Sequence, residues 1–70
     1  MTDVKLFKQA FEDSGVKITF LAEKMGCSRN RIYAILAGGE CTASEIMKLT
    51  DLLHLSTSQR DAIFFAQNSE

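Results

Sequence analysis

Residues 19–38 read T-F-L-A-E-K-M-G-C-S-R-N-R-I-Y-A-I-L-A-G, and this stretch decides the fold. Leu21, Ala22 and Met25 fall on one face of a short helix at i, i+1, i+4 spacing. Gly26 interrupts that helix where a chain needing positive φ places glycine. Ser28 then opens a second helix, because its hydroxyl can accept from N–H groups two or three residues on. Ile32, Ile35 and Leu36 give the second helix an apolar face, and Gly38-Gly39 ends it. Helix, glycine-containing turn and helix together make a helix-turn-helix pattern.

The residues left over on the second helix carry the chemistry. Arg29, Asn30, Arg31, Tyr33 and Ala34 cannot all face the core. Two guanidiniums and a carboxamide at an exposed helix start suit duplex DNA. Arginine bonds guanine bidentately, asparagine bonds adenine, and a helix N-terminus favours phosphate. Arg29 and Asn30 are therefore the expected base readers. Arg31 is expected on phosphate, the alternative being a surface pair with Glu23 or an aspartate. Tyr33 is expected in the groove, the alternative being a ring resting on the edge of the core.

Outside this stretch the pattern stays helical. Asp3 suits the first turn of an opening helix capped by Thr2, and Val4, Phe7, Ala10 and Phe11 form its apolar face with Leu6 beside them. Ser14-Gly15 stops it. Ile18 or Phe20 is expected to seal the core after a short connection. Thr42-Ala43-Ser44-Glu45 is a capping box opening a fourth helix that runs to about Leu53, with Ile46, Leu49, Leu52 and Leu53 inward and Met47 flanking. His54 closes it as an ordinary helix-end residue. Ser56-Thr57-Ser58-Gln59 is a second capping box, opening a fifth helix from Thr57 to about Gln67. Its run Ala62-Ile63-Phe64-Phe65-Ala66 is too continuous to point at one core. Ile63, Phe64 and Phe65 are accordingly expected to supply a dimer or partner surface, unless both rings pack on helices one and four. Five short helices make an all-α bundle.

Composition narrows the class. Seventy residues, 46% hydrophobic, make a single domain spanning residues 1–70 that buries about 60% of its unfolded surface. Nothing in the sequence is long and apolar enough to span a membrane, and M-T-D-V-K-L-F lacks the features of a secretion signal, so a cytoplasmic location is expected. Cys27 and Cys41 have no CxxC or histidine partner, and both are expected to be packing residues rather than metal ligands. No catalytic grouping or phosphate loop is present, so neither an enzyme nor a cofactor or small-molecule ligand is expected. The formal charge is −1 overall, but Lys17, Lys24, Arg29 and Arg31 against Glu23 alone leave residues 16–39 at +3, with residues 40–70 at −3. The positive charge lies on the segment that would meet phosphate.

The segment L-A-E-K-M-G-C-S-R-N-R-I-Y-A-I-L-A-G resembles the Cro/C1-type helix-turn-helix domains (the XRE family, which includes phage lambda repressor). The matching pattern is L-A-x-x-x-G-x-S-x-x-x-I-x-x-I-x-x-G, at Leu21, Ala22, Gly26, Ser28, Ile32, Ile35 and Gly38. It continues into E-I-x-K-L-x-x-L-L-x-L at Glu45–Leu55, and the resemblance covers about residues 5–66. Q-R-D-A-I-F-F looks like the ending of small phage-type regulators. The resemblance implies a five-helix, lambda repressor-like bundle with the helix-turn-helix at helices two and three. It implies base reading by Arg29, Asn30, Tyr33 and Ala34, the last touching only a thymine methyl. Phosphate contacts would come from Lys17, Thr19, Ser28 and the backbone N–H groups of Gly38 and Gly39. A homodimeric repressor on a palindromic operator would follow. Two positions depart from the pattern: Ile18 stands where many members have glutamine, and Leu36-Ala37 where lambda-type members have asparagine or glutamate. The alternative is an antitoxin- or anti-repressor-like interaction module working through Ile63–Phe65.

Overall fold

A computed structural model describes residues 2–65. Among them lie five helices and no strand: α1 (Val4–Ser14), α2 (Ile18–Met25), α3 (Arg29–Leu36), α4 (Ala43–Leu52) and α5 (Thr57–Phe64). The all-α helix-turn-helix bundle read from the sequence is the observed architecture, with α2 and α3 as its two helices.

Local chemistry sets the ends of these helices. Ser28 Oγ accepts from the Arg31 N–H at 3.2 Å and starts α3. Thr42 with Glu45, and Ser56 with Gln59, form complete reciprocal capping boxes at α4 and α5. Gly26 takes the left-handed conformation at φ 69°, letting the Cys27 N–H turn back to the Ala22 carbonyl at 3.0 Å. His54 does the same work after α4 at φ 56°, a conformation less costly for histidine than for most side chains. The Leu55 N–H then returns to the Thr50 carbonyl at 2.9 Å.

The N-cap of α1 is Asp3, not Thr2: its carboxylate accepts from the Leu6 N–H at 3.1 Å. The Asp3 N–H in turn donates to the Ile63 carbonyl at 2.6 Å, which pins the start of α1 to α5. Aspartate is also the better N-cap of the two neighbouring candidates, so local preference and the tertiary bond agree.

The core centres on Phe7, Leu21, Ile32, Ile35 and Leu49, all fully buried, with Ile46, Leu53, Ile63 and Phe64 around them. Each such side chain contributes about 1.5–3 kcal/mol of burial. α1 packs on α3 and α5, α2 on α3 and α4, and α4 on α5. Ile18 is half-buried against this core, whereas Phe20 and Leu6 are exposed. Of the expected apolar faces, Val4, Ala10, Phe11, Leu36 and Leu52 are only half-buried, and Met47 is exposed.

The expected surface at Ile63–Phe65 does not exist as such. Ile63 and Phe64 are 2% and 3% exposed, because α5 folds back on α1 and sets the Phe64 ring against Phe7. Phe65 alone remains outside, half-exposed, with the Arg60 guanidinium 5.8 Å from its ring centroid. The fifth helix ends at Phe64. Ala66 and Gln67, placed in it by the sequence reading, lie outside the described residues.

Candidate nucleic-acid interface

α3 divides its residues sharply between inside and outside. Ile32 and Ile35 are fully buried. Arg29, Asn30, Tyr33, Ala34 and Ala37 are exposed, Tyr33 by 54%. At 3.6 residues per turn these five occupy one continuous arc of about 140°. Two hydrogen-bonding side chains, one aromatic ring and two methyl groups therefore share one outward face of a helix. Such a face fits the width of a major groove, and its residue types match base edges there. The sequence reading placed four of the five; Ala37, the residue that caps the C-terminus of α3, extends the same arc.

Lys17, Thr19 and Ser28 are all exposed. Lys17 occupies the N-cap of α2 without making a side-chain cap. The first N–H groups of α2 are thus left without a side-chain acceptor, which is the arrangement that receives an anion. Ser28 Oγ accepts from α3, so its hydroxyl proton can still be donated outward. Lys24 is exposed on α2 with its ammonium 5.6 Å from the Phe20 ring centroid.

Three expected phosphate contacts are otherwise engaged. The Gly38 N–H donates to the Ile35 carbonyl at 3.0 Å and the Gly39 N–H to the Ala34 carbonyl at 2.9 Å, closing the end of α3. Both donors are spent inside the turn. Arg31 lies on the flank of α3, outside the exposed arc. Its Nε donates to Glu45 Oε2 at 2.8 Å, and its Nη2 donates to Glu45 Oε1 at 2.7 Å and to the Glu40 carbonyl at 2.8 Å. It pairs with Glu45 rather than with Glu23. The partner is fourteen residues away on α4, beyond the reach of any helical spacing rule.

This ion pair dominates the electrostatics of the region. The Arg31 hydrogen bonds hold the Glu45 carboxyl down to about 2 against a smaller opposing effect of burial, and the Thr42 N–H adds to the lowering. Glu45 in turn raises Arg31. Nearby, burial pushes the Cys41 thiol up, which keeps it neutral. Cys27 and Cys41 are both half-buried free thiols. Among the described residues no group of His, Cys, Asp and Glu could hold a metal ion, and no helix is long and apolar enough to cross a membrane.

A family model for the Cro/C1-type HTH DNA-binding domain matches residues 7–59, from the buried Phe7 of α1 to the Gln59 capping residue of α5. No curated protein and no solved structure gives a match. The family's property is sequence-specific DNA binding, and the match includes the whole of α2, α3 and α4. The matched segment, the five-helix order and the divided α3 agree: this chain belongs to the Cro/C1-type HTH DNA-binding domains.

Proposed function

We propose that this domain is a transcriptional repressor of the phage type, which binds a palindromic operator as a homodimer with α3 in the major groove. The observation that carries the reading is the continuous exposed arc of α3. Its apolar side is spent on the core through Ile32 and Ile35, while Arg29, Asn30, Tyr33 and Ala34 face outward. Arg29 suits guanine O6 and N7, and Asn30 suits adenine N6 and N7. Tyr33 and Ala34 would add contact to base edges and thymine methyls. Lys17, Thr19, Ser28 and the start of α2 would hold the flanking phosphates.

Homodimerisation follows from size. One module of this kind buries about 600–1,000 Å² on DNA, enough for weak binding only. Two linked copies on half-sites one helical turn apart convert the second contact into an intramolecular one. Repression then needs no chemistry beyond occupying a promoter. Double-stranded DNA and a second copy of the chain are the partners of this reading.

The test is Arg29→Ala on a selected operator. The reading expects a loss of about 1–3 kcal/mol, with relaxed preference at one base pair of each half-site. Unchanged affinity and unchanged preference would remove α3 from the role of reading helix.

A further inference from the structure

Arg31 is the one charged residue of α3 turned away from the exposed arc, and its guanidinium joins three segments. Its own N–H closes the Ser28 cap at the start of α3. Its Nη2 holds the Glu40 carbonyl in the connection between α3 and α4. Its Nε and Nη2 grip both oxygens of Glu45 in the first turn of α4. Glu45 Oε1 also accepts from the Thr42 N–H at 2.9 Å, so the same carboxylate closes the α4 capping box.

The helices whose backbones approach α3 are α1 and α2. The α4 backbone stands farther off, and the ion pair spans that distance. A bidentate fork fixes rotation as well as separation, which a single contact does not. The pair is not sealed in the core: the two side chains are 34% and 20% exposed. Exposed ion pairs add little to stability, so stability alone gives weak reason for one of this geometry. Its position gives a better one. Arg31 directly follows Arg29 and Asn30, and the pose of those two side chains follows the rotation of the first turn of α3. Base readout tolerates little error in pose.

We infer that Arg31 is a positioning residue for DNA readout: clamped to Glu45 and the Glu40 carbonyl, it sets the rotation of α3 that aims Arg29 and Asn30 at base edges, and it touches no phosphate itself. The inference rests on α3 being the reading helix. With Glu45 held near 2, the clamp stays charged on both sides throughout the neutral range.

The full chain, with Arg31→Met, Arg31→Lys, Glu45→Gln and Arg29→Ala variants, is titrated against its selected operator and against a non-specific duplex of equal length, over a range of salt. Glu45→Gln keeps an acceptor for the α4 capping box while removing the charge that holds Arg31. Arg31→Met and Glu45→Gln should each weaken operator binding roughly ten-fold, part of a bidentate base contact. Non-specific affinity should not fall and the salt slope should stay as in wild type. Arg31→Lys, which keeps charge but loses the fork, should fall between. Loss of fold would lower binding to both duplexes together, so the ratio of the two affinities isolates positioning.

A phosphate role predicts the opposite pattern. Arg31→Met would weaken both duplexes and reduce the salt slope by about one, and Glu45→Gln, by removing an anion, would tighten both. That result overturns the inference. Wild-type operator affinity in Arg31→Met and Glu45→Gln, beside a loss in Arg29→Ala, overturns it while leaving the reading of α3 intact. If wild type prefers no duplex, the reading itself fails and the positioning role falls with it.

Discussion

The rings of Phe7 and Phe64 meet with centroids 5.4 Å apart and planes tilted by 59°. The contact joins the first helix to the last and turns an aromatic pair that looks like a docking surface in the sequence into half surface, half core. Phe64→Ala should therefore cost about 3–5 kcal/mol, most of the stability of a domain this small. Phe65→Ala should stay within about 0.5 kcal/mol of wild type. Urea denaturation followed by circular dichroism distinguishes them, and equal losses at the two positions would contradict the packing.

Ser28 is the only side-chain cap at the start of α3, with its hydroxyl 3.2 Å from the Arg31 nitrogen. Ser28→Ala should cost about 1 kcal/mol, which corresponds to a melting-temperature drop of about 4–8 °C in a domain this size. Ser28→Asp should retain most of the stability, since aspartate caps as well as serine, yet it should weaken DNA binding by placing an anion beside phosphate. Thermal melts and DNA titration of the two variants separate the capping role of Ser28 from its proposed phosphate contact.

At Gly26, with φ 69°, a Cβ would meet nothing within 4 Å. The cost of a side chain there is conformational rather than steric. Gly26→Ala should lose about 1–2 kcal/mol, and Gly26→Asn should lose less because asparagine tolerates the left-handed region. Gly39 presents the other case: a Cβ there would lie 2.8 Å from the Ala34 carbonyl oxygen. A denaturant series in which Gly26→Ala matched wild type would contradict the turn geometry.

What the sequence made legible was what is decided within three or four residues. The Ser28 cap, the two capping boxes and the Gly26 turn depend on neighbours along the chain, and each stands where the pattern put it. Most of the misses are decided across the chain. Thr2 and Asp3 can both cap, and the bond from the Asp3 N–H to Ile63 fixes the chain where Asp3, the stronger cap, starts α1. Ile63-Phe64-Phe65 has no helical period, so only the approach of α1 tells which ring is inside. The Gly38 and Gly39 donors are the local exception: they close the end of α3 on the Ile35 and Ala34 carbonyls, a helix-end pattern that glycine itself signals. Arg31 looks like its neighbour Arg29 in the sequence. Its partner on α4 becomes visible only when the connection between the two helices folds back.

Acid should act on this domain partly through Glu45. Its carboxyl has an ordinary value of 4.5 and is held at about 2 in the fold. A lowered carboxyl contributes stability that is fully present above its unfolded value and disappears as pH falls through the folded one. Melting temperature should therefore decline between about pH 4.5 and pH 2, and Arg31→Met should flatten that decline. An acid limb unchanged in Arg31→Met would show that the ion pair does not form in solution.

The central claim is that α3 reads a symmetric DNA sequence. Selection from a random duplex pool at two salt concentrations tests it most directly. The account predicts enrichment of a palindrome with half-sites one turn apart, bound with an affinity that falls steeply as salt rises, and loss of that enrichment in Arg29→Ala. Enrichment of no sequence, with only weak binding that vanishes at moderate salt, would contradict it.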